Sequence, residues 1–224
     1  MRQLKEKLFH LRSRIKAEHP IRSSFFFLVL LIKKLLRIDF KDKHGIADMP
    51  EISLVIPTVS KDFDLLDKVI SNAIRYVHPR ITQVFIVSPV DEQIQSFCER
   101  NGYTHIDENS VLGYGKSKIK YIVKSIDRSG WIFQQLLKLS GNVFVQTRHY
   151  LIVDSDTILI NPHTFITNGK SVFLMNEEWN EPYFKTFKRM FNYPAPAHLS
   201  LTSHMMIFDT VALREMKLEL ENRH

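Results

Sequence analysis

Three short apolar runs, each cut off by proline or aspartate, constrain this chain more than any other feature. Ile52-Ser53-Leu54-Val55-Ile56 ends at Pro57, Val84-Phe85-Ile86-Val87 is soon followed by Pro89, and Tyr150-Leu151-Ile152-Val153 runs into Asp154-Ser155-Asp156. Runs so short and so rich in β-branched residues read as strands buried on both faces of a parallel sheet. Between them the period changes to helical. Leu65, Leu66, Val69, Ile70, Ala73, Ile74 and Val77 share one face of a helix that Asp62 or Asp64 can cap. A shorter helix carries Ile94, Phe97 and Cys98 and stops at Asn101-Gly102, and residues 131–139 form a third, closed by Gly141. Residues 104–106, 172–175 and 205–208 read as further strands, and residues 112–120 as a Gly- and Lys-rich polar stretch. This alternation predicts an α/β fold, a mainly parallel mixed sheet with helices on both faces.

Charge divides the chain at about the same place as pattern does. Residues 1–43 hold twelve of the 31 Lys/Arg and four of the 24 Asp/Glu, a net +8, which leaves −1 for the rest. A nucleic-acid groove built into the folded domain is therefore not expected. The predicted division is a basic, partly apolar helical extension over 1–48 and a folded α/β domain over 49–224. Residues 25–32 are eight uninterrupted apolar residues, short of the roughly 20 that span a bilayer. Two readings fit them: a helix packed on the domain, or an anchor lying on an anionic membrane surface through residues 1–43. The single cysteine, Cys98, and the lack of an Asn-x-Ser/Thr sequon point to a reducing, cytoplasmic setting, peripheral to the membrane in the second reading.

The chemistry gathers at Asp154-Ser155-Asp156. Two carboxylates at the end of an apolar strand repel each other and lose hydration. A divalent cation, Mn²⁺ or Mg²⁺, relieves both costs and can bridge a diphosphate. On that view, removing one acid eases the metal-free protein. The alternative is an Asx turn, with the side chains spent on neighbouring backbone.

The segment from Tyr150 to Pro162, YLIVDSDTILINP, resembles the DxD segment of GT-A glycosyltransferases. The segments "ISLVIPT" from Ile52, "GWIFQQLLKL" from Gly130 and "SHMMIFD" from Ser203 agree with it in order and spacing, and resemble bacterial enzymes predicted to build capsular or surface polysaccharide. The resemblance implies a GT-A fold in which Asp154 and Asp156 hold the metal of a nucleotide-diphosphate sugar. Pro57, Thr58 and Asp62 would then meet the nucleoside, while Gln134 and Lys138, one helical turn apart, would face sugar and phosphate. Lys116 and Arg128 are further phosphate candidates. Glu177 is the first candidate for a catalytic base, and His204 fits a base, a metal ligand or a structural histidine. Trp179, Tyr183 and Phe187 could stack on sugar. The implied reaction is transfer to a glycan or lipid-linked acceptor. The family usually continues beyond this point, so the domain is expected to be C-terminally incomplete, with an apolar strip showing on its final helix. Two rivals stand beside this reading: a haloacid dehalogenase-type phosphatase with Asp154 as nucleophile, and a non-catalytic membrane-surface adaptor.

Overall fold

A computed structural model of the chain describes residues 50–175, 180–195 and 200–223, together with Leu28 and Ile32. Those two residues are helical and exposed, and the other expectations for residues 1–48 lie outside the described residues. Two compact units make up the chain, residues 44–173 with 204–223, and residues 1–43 with 174–203.

In the larger unit, β1 (Ile52–Pro57) leads through a short 3-10 turn into α1 (Phe63–Tyr76), then β2 (Val77–His78) and β3 (Ile81–Ser88). Next come α2 (Glu92–Asn101), β4 (Thr104–Asp107) and a five-residue α3 (Glu108–Leu112). A small hairpin, β5 (Ile122–Val123) with β6 (Ile126–Asp127), precedes α4 (Ser129–Lys138) and β7 (His149–Val153). The two-residue strands β8 (His163–Thr164), β9 (Ile166–Thr167) and β10 (Lys170–Ser171) follow. The smaller unit contributes α5 (Glu181–Phe191), and the chain returns to the larger one as β11 (Met205–Asp209) and α6 (Thr210–Arg223).

The central sheet has the order β11-β7-β1-β3-β4, parallel except for β11, which runs antiparallel to β7 at one edge. Every residue of β1 and β7 is buried, as strands covered on both faces must be. One face carries Val55, Phe85, Val87, Tyr150 and Ile152, covered by Phe133 and Leu137 of α4 and Leu213 of α6. Strand alternation turns Leu54, Ile56, Ile86 and Leu151 the other way, toward the buried sides of α1 and α2. The mainly parallel mixed sheet flanked by helices is the architecture expected. The strand expected at 172–175 does not form. Asn168 and Gly169, both at positive φ, turn β9 back on β10 instead, after which Phe173 and Met175 are exposed. On α6, Val211 and Leu218 are exposed while Leu213 is buried.

At the amino end of β7, His149 is buried with Nε2 3.4 Å from Asp209 Oδ2, and its Nδ1 has no hydrogen-bond partner. Burial holds the imidazole below its ordinary value; Asp209 opposes that effect and Arg148 adds to it. The folded chain therefore binds this proton less readily than the unfolded chain. Stability contributed by neutral His149 is present above the ordinary histidine value of about 6.5 and is lost as pH falls through it toward the lower folded value. The melting temperature of wild type is expected to fall from about pH 7 to pH 5 more steeply than that of His149→Gln, and parallel curves would refute the assignment.

Candidate metal centre

The chain leaves β1 toward β3 and β4, then crosses back past β1 to β7. Connections thus diverge at the carboxyl ends of β1 and β7, where open α/β sheets bind their ligands. Pro57 and Thr58 stand at the first of these ends and Asp154-Ser155-Asp156 at the second. Thr157 N–H donates to the Asp154 carbonyl at 3.0 Å, so the backbone itself closes a tight turn over the motif. Ser155 is buried, and its Oγ donates to Asp62 Oδ2 at 2.9 Å, pinning the β1–α1 loop to this turn. Asp62 does stand at the start of α1, but its carboxylate is taken by Ser155 and does not cap the helix.

The side chains of the two acids are left free of the backbone. Among the described residues, neither carboxylate accepts a backbone N–H, so the Asx-turn reading does not describe this turn. Asp154 Oδ1 lies 2.5 Å from Lys138 Nζ and Oδ2 lies 3.2 Å from His204 Nδ1. The lysine contact is an ion pair rather than a hydrogen bond, because the ammonium sits close to Oδ1 but off the directions in which it could donate to it. Asp156 is exposed. Asp154, Asp156 and His204 each offer one ligand atom, and all three lie within 4.8 Å of one another. His204 arrives through strand register: β11 pairs antiparallel with Met205 opposite Val153, and Asp154 N–H donates to the His204 carbonyl at 2.9 Å.

Lys138 is held in place by the core. Tyr150, fully buried on β7, donates its hydroxyl to the Lys138 carbonyl at 2.9 Å. Burial pushes the phenol well above its ordinary value, with a counter-effect from the Gly141 backbone, so it stays a donor. Gly141 makes the approach possible, since a Cβ there would sit 2.5 Å from the Tyr150 ring. Lys138 and Asp154 side chains are only 14% and 17% exposed.

The other expected site residues are spread more widely. Pro57 and Thr58 are buried, with Thr58 N–H bonded to the Val87 carbonyl at 2.9 Å. Gln134 is half-buried one turn before Lys138, and its side chain makes no hydrogen bond among the described residues. Lys116 and Arg128 are exposed, the Arg128 guanidinium lying 5.0 Å from the Trp131 ring centroid. Glu177 and Trp179 lie outside the described residues. In the smaller unit Phe187 packs against Phe191 and Tyr193, and Tyr183 is exposed. Ser155, Tyr150 and Gly141 went unnoticed as site residues. The signal for Ser155 was a small hydroxyl between two acids; for the other pair, a glycine placed just before a strand that opens with a large aromatic.

Fold and site together define an α/β protein with a candidate divalent-cation centre at the switch point of an open sheet. Residues 49–224 match DUF6492, a family of unknown function, and the chain belongs to that family. No protein of curated function matches the sequence. Similar solved structures include mannosyl-3-phosphoglycerate synthase from Rubrobacter xylanophilus, at 18% identity over 50% of this chain and 33% of that one, with a TM-score of 0.32. Glucosyl-3-phosphoglycerate synthase from Mycobacterium tuberculosis, in complex with Mn²⁺, uridine diphosphate and glucosyl-3-phosphoglycerate, shares 15% identity over 56% and 42%, with a TM-score of 0.34. Mouse xyloside xylosyltransferase 1, in its apo form, shares 14% identity over 78% and 72%, with a TM-score of 0.44. The chain spans 33% and 42% of the length of the first two. The likeness is one of fold.

The Lys138 contact reverses one expectation. Removing the Asp154 charge does not relieve the metal-free protein, because it strands a mostly buried ammonium. Asp154→Asn is expected to cost about 1–3 kcal/mol of stability without added metal. Asp156→Asn, at an exposed position, should stay within about 0.5 kcal/mol. Chemical denaturation of both variants in chelator decides it, and equal stabilities would show that the ion pair contributes nothing.

Proposed function

We propose that this chain is a metal-dependent glycosyltransferase that moves a sugar from a nucleotide-diphosphate donor to a glycan or lipid-linked acceptor. The observation that carries the reading is the convergence of Asp154, Asp156 and His204 at the switch point, with both carboxylates left unused by the turn that presents them. Two carboxylates and an imidazole suit Mn²⁺, and the carboxylates alone suit Mg²⁺. Such a cation, when bound, supplies positive charge to a diphosphate leaving group.

The chain's own residues divide the remaining work. Lys138 holds the Asp154 carboxylate in place and offers a second positive charge, as a point charge, to a phosphate oxygen. Ser155 and Asp62 fix the loop after β1 against the acidic turn, so a nucleoside seated by Pro57 and Thr58 and a diphosphate at the acids keep a set spacing. Gln134 faces the sugar from α4. Glu177 is the proposed base toward the acceptor hydroxyl for an inverting transfer. The segment resemblance supports the donor class and a surface-polysaccharide setting. No observation favours the phosphatase reading, since Asp154 is engaged by Lys138 and His204 and ends the fourth long strand along the chain.

The test is thermal stabilisation by nucleotide sugars with and without Mn²⁺, read on wild type, Asp156→Asn and His204→Ala. A ligand that binds only the folded state at a hundred times its Kd adds about 2.7 kcal/mol. The expected result is stabilisation of wild type that requires both nucleotide and metal and falls at least about tenfold in apparent affinity in each variant. Wild type that responds to no nucleotide, or variants that bind metal as wild type does, would overturn the proposal.

A further inference from the structure

The hairpin between α3 and α4 carries a surface that lies outside the metal centre, with the phosphate candidates Lys116 and Arg128 at its two ends. From Lys116 to Arg128 the chain has five cations, Lys116, Lys118, Lys120, Lys124 and Arg128, against the single acid Asp127. All five are exposed, and among the described residues none forms a salt bridge. Asp127 is occupied, accepting from Ser129 N–H at 2.8 Å at the start of α4. Residues 44–224 carry −1 overall, so this +4 is a local concentration.

The same hairpin exposes apolar side chains. Ile122 is 55% and Ile126 65% exposed, and Tyr121, Trp131 and Tyr114 stand partly free beside them. Tyr121 stacks on Trp131, with centroids 6.5 Å apart. The register opposes Val123 to Ile126 and Ile122 to Asp127, so the two isoleucines project from opposite faces of the ribbon. The turn residues Lys124 (φ 49°) and Ser125 (φ 65°) both take the left-handed conformation, which glycine or asparagine adopts more easily. A cation thus stands at the tip of the hairpin at a conformational cost.

We infer that the β5–β6 hairpin, with Ile122, Ile126, Tyr121 and the ring of Lys120, Lys124 and Arg128, docks into the surface of an anionic bilayer. Aliphatic side chains on both faces suit immersion between headgroups, where every side of the ribbon is covered, whereas a protein groove covers one face. Lysine and arginine among tyrosine and tryptophan match the headgroup layer and its negative charge. A nucleic acid would use the cations and rings but leave the isoleucines without a partner. The inference does not rest on the transferase reading, since no residue in it belongs to the metal centre.

The test uses the full chain, because residues 1–43 carry their own basic charge. Partitioning is measured on phosphatidylglycerol–phosphatidylcholine vesicles and on pure phosphatidylcholine for wild type, Lys120→Gln/Lys124→Gln and Ile122→Ser/Ile126→Ser. The charge variant is expected to lose roughly thirtyfold on anionic vesicles at low salt. The serine variant should lose binding to a similar order, with unchanged thermal unfolding. A second readout places an environment-sensitive fluorophore on Ser125→Cys. Cys98 is buried and its thiol is pushed up to about 11 by burial, with Glu99 adding to the effect, so labelling is selective. A blue shift on anionic vesicles is expected. Unchanged partitioning in both variants, or a label that stays in water while the chain is vesicle-bound, would assign all binding to residues 1–43 and overturn the inference. A spectral response to single-stranded RNA and not to vesicles would overturn it in favour of a nucleic-acid surface.

Discussion

Asp154 directly follows a fully buried strand with its side chain only 17% exposed, so its carboxylate must be compensated largely where it stands. Three elements meet to do so. β7 supplies the acid, α4 brings Lys138 to 2.5 Å from Oδ1, and β11 brings His204 to 3.2 Å from Oδ2. A charge in such a place is expensive without partners and tolerable with them. The rest of the carboxyl edge follows from this arrangement. Asp156 is left facing outward, Ser155 turns inward to Asp62, and the first loop of the domain is tied to the turn.

The partners are themselves positioned by the core. Tyr150 lies on the same strand as Asp154, four residues earlier, and its hydroxyl anchors the carbonyl of Lys138. The strand that presents the anion therefore also sets the register of the helix that presents the cation. Gly141 is the local condition for this, since any Cβ would collide with the ring. Tyr150 also stacks on Phe208 of β11 at 5.2 Å, so the strand carrying His204 packs against the same residue. One side chain links all three elements around Asp154, and the cation-binding geometry inherits the rigidity of a packed interior.

What was legible in the sequence was what neighbouring residues decide. The uniform apolar runs gave the three inner strands, and helical spacing gave α1, α2 and α4, because burial on one face or two leaves a local period. Asp154 and Asp156 stood out for the same reason, as charges at the end of such a run. What could not be read was long-range pairing. Nothing within residues 205–209 announces that β11 runs antiparallel, yet that direction alone brings His204 to Asp154 across fifty positions. The helix face of Lys138 was visible in the sequence, but its ion pair with Asp154, sixteen positions away, was not. Asp62 read as a cap because capping is a local rule, whereas its carboxylate answers to Ser155, ninety-three positions away. The strand expected at 172–175 was lost to a turn at Asn168-Gly169 that claimed the pairing first.

The two surfaces of the larger unit are joined by a single helix. α4 starts at Ser129, directly after the basic hairpin, and ends at Lys138, against the acidic turn. Ten helical residues measure about 15 Å along the axis. A hairpin docked in headgroups would therefore hold the acidic turn within about 15 Å of them along that helix, a reach that favours an acceptor tethered to lipid over one free in solution. The separation of charge serves both ends. Cations at the hairpin would attract an anionic surface, whereas the acids at the turn, without a cation, would be repelled by it. A divalent ion at Asp154, Asp156 and His204 would cancel that repulsion, an effect confined to low salt because the helix is longer than the screening length of about 8–10 Å at physiological ionic strength.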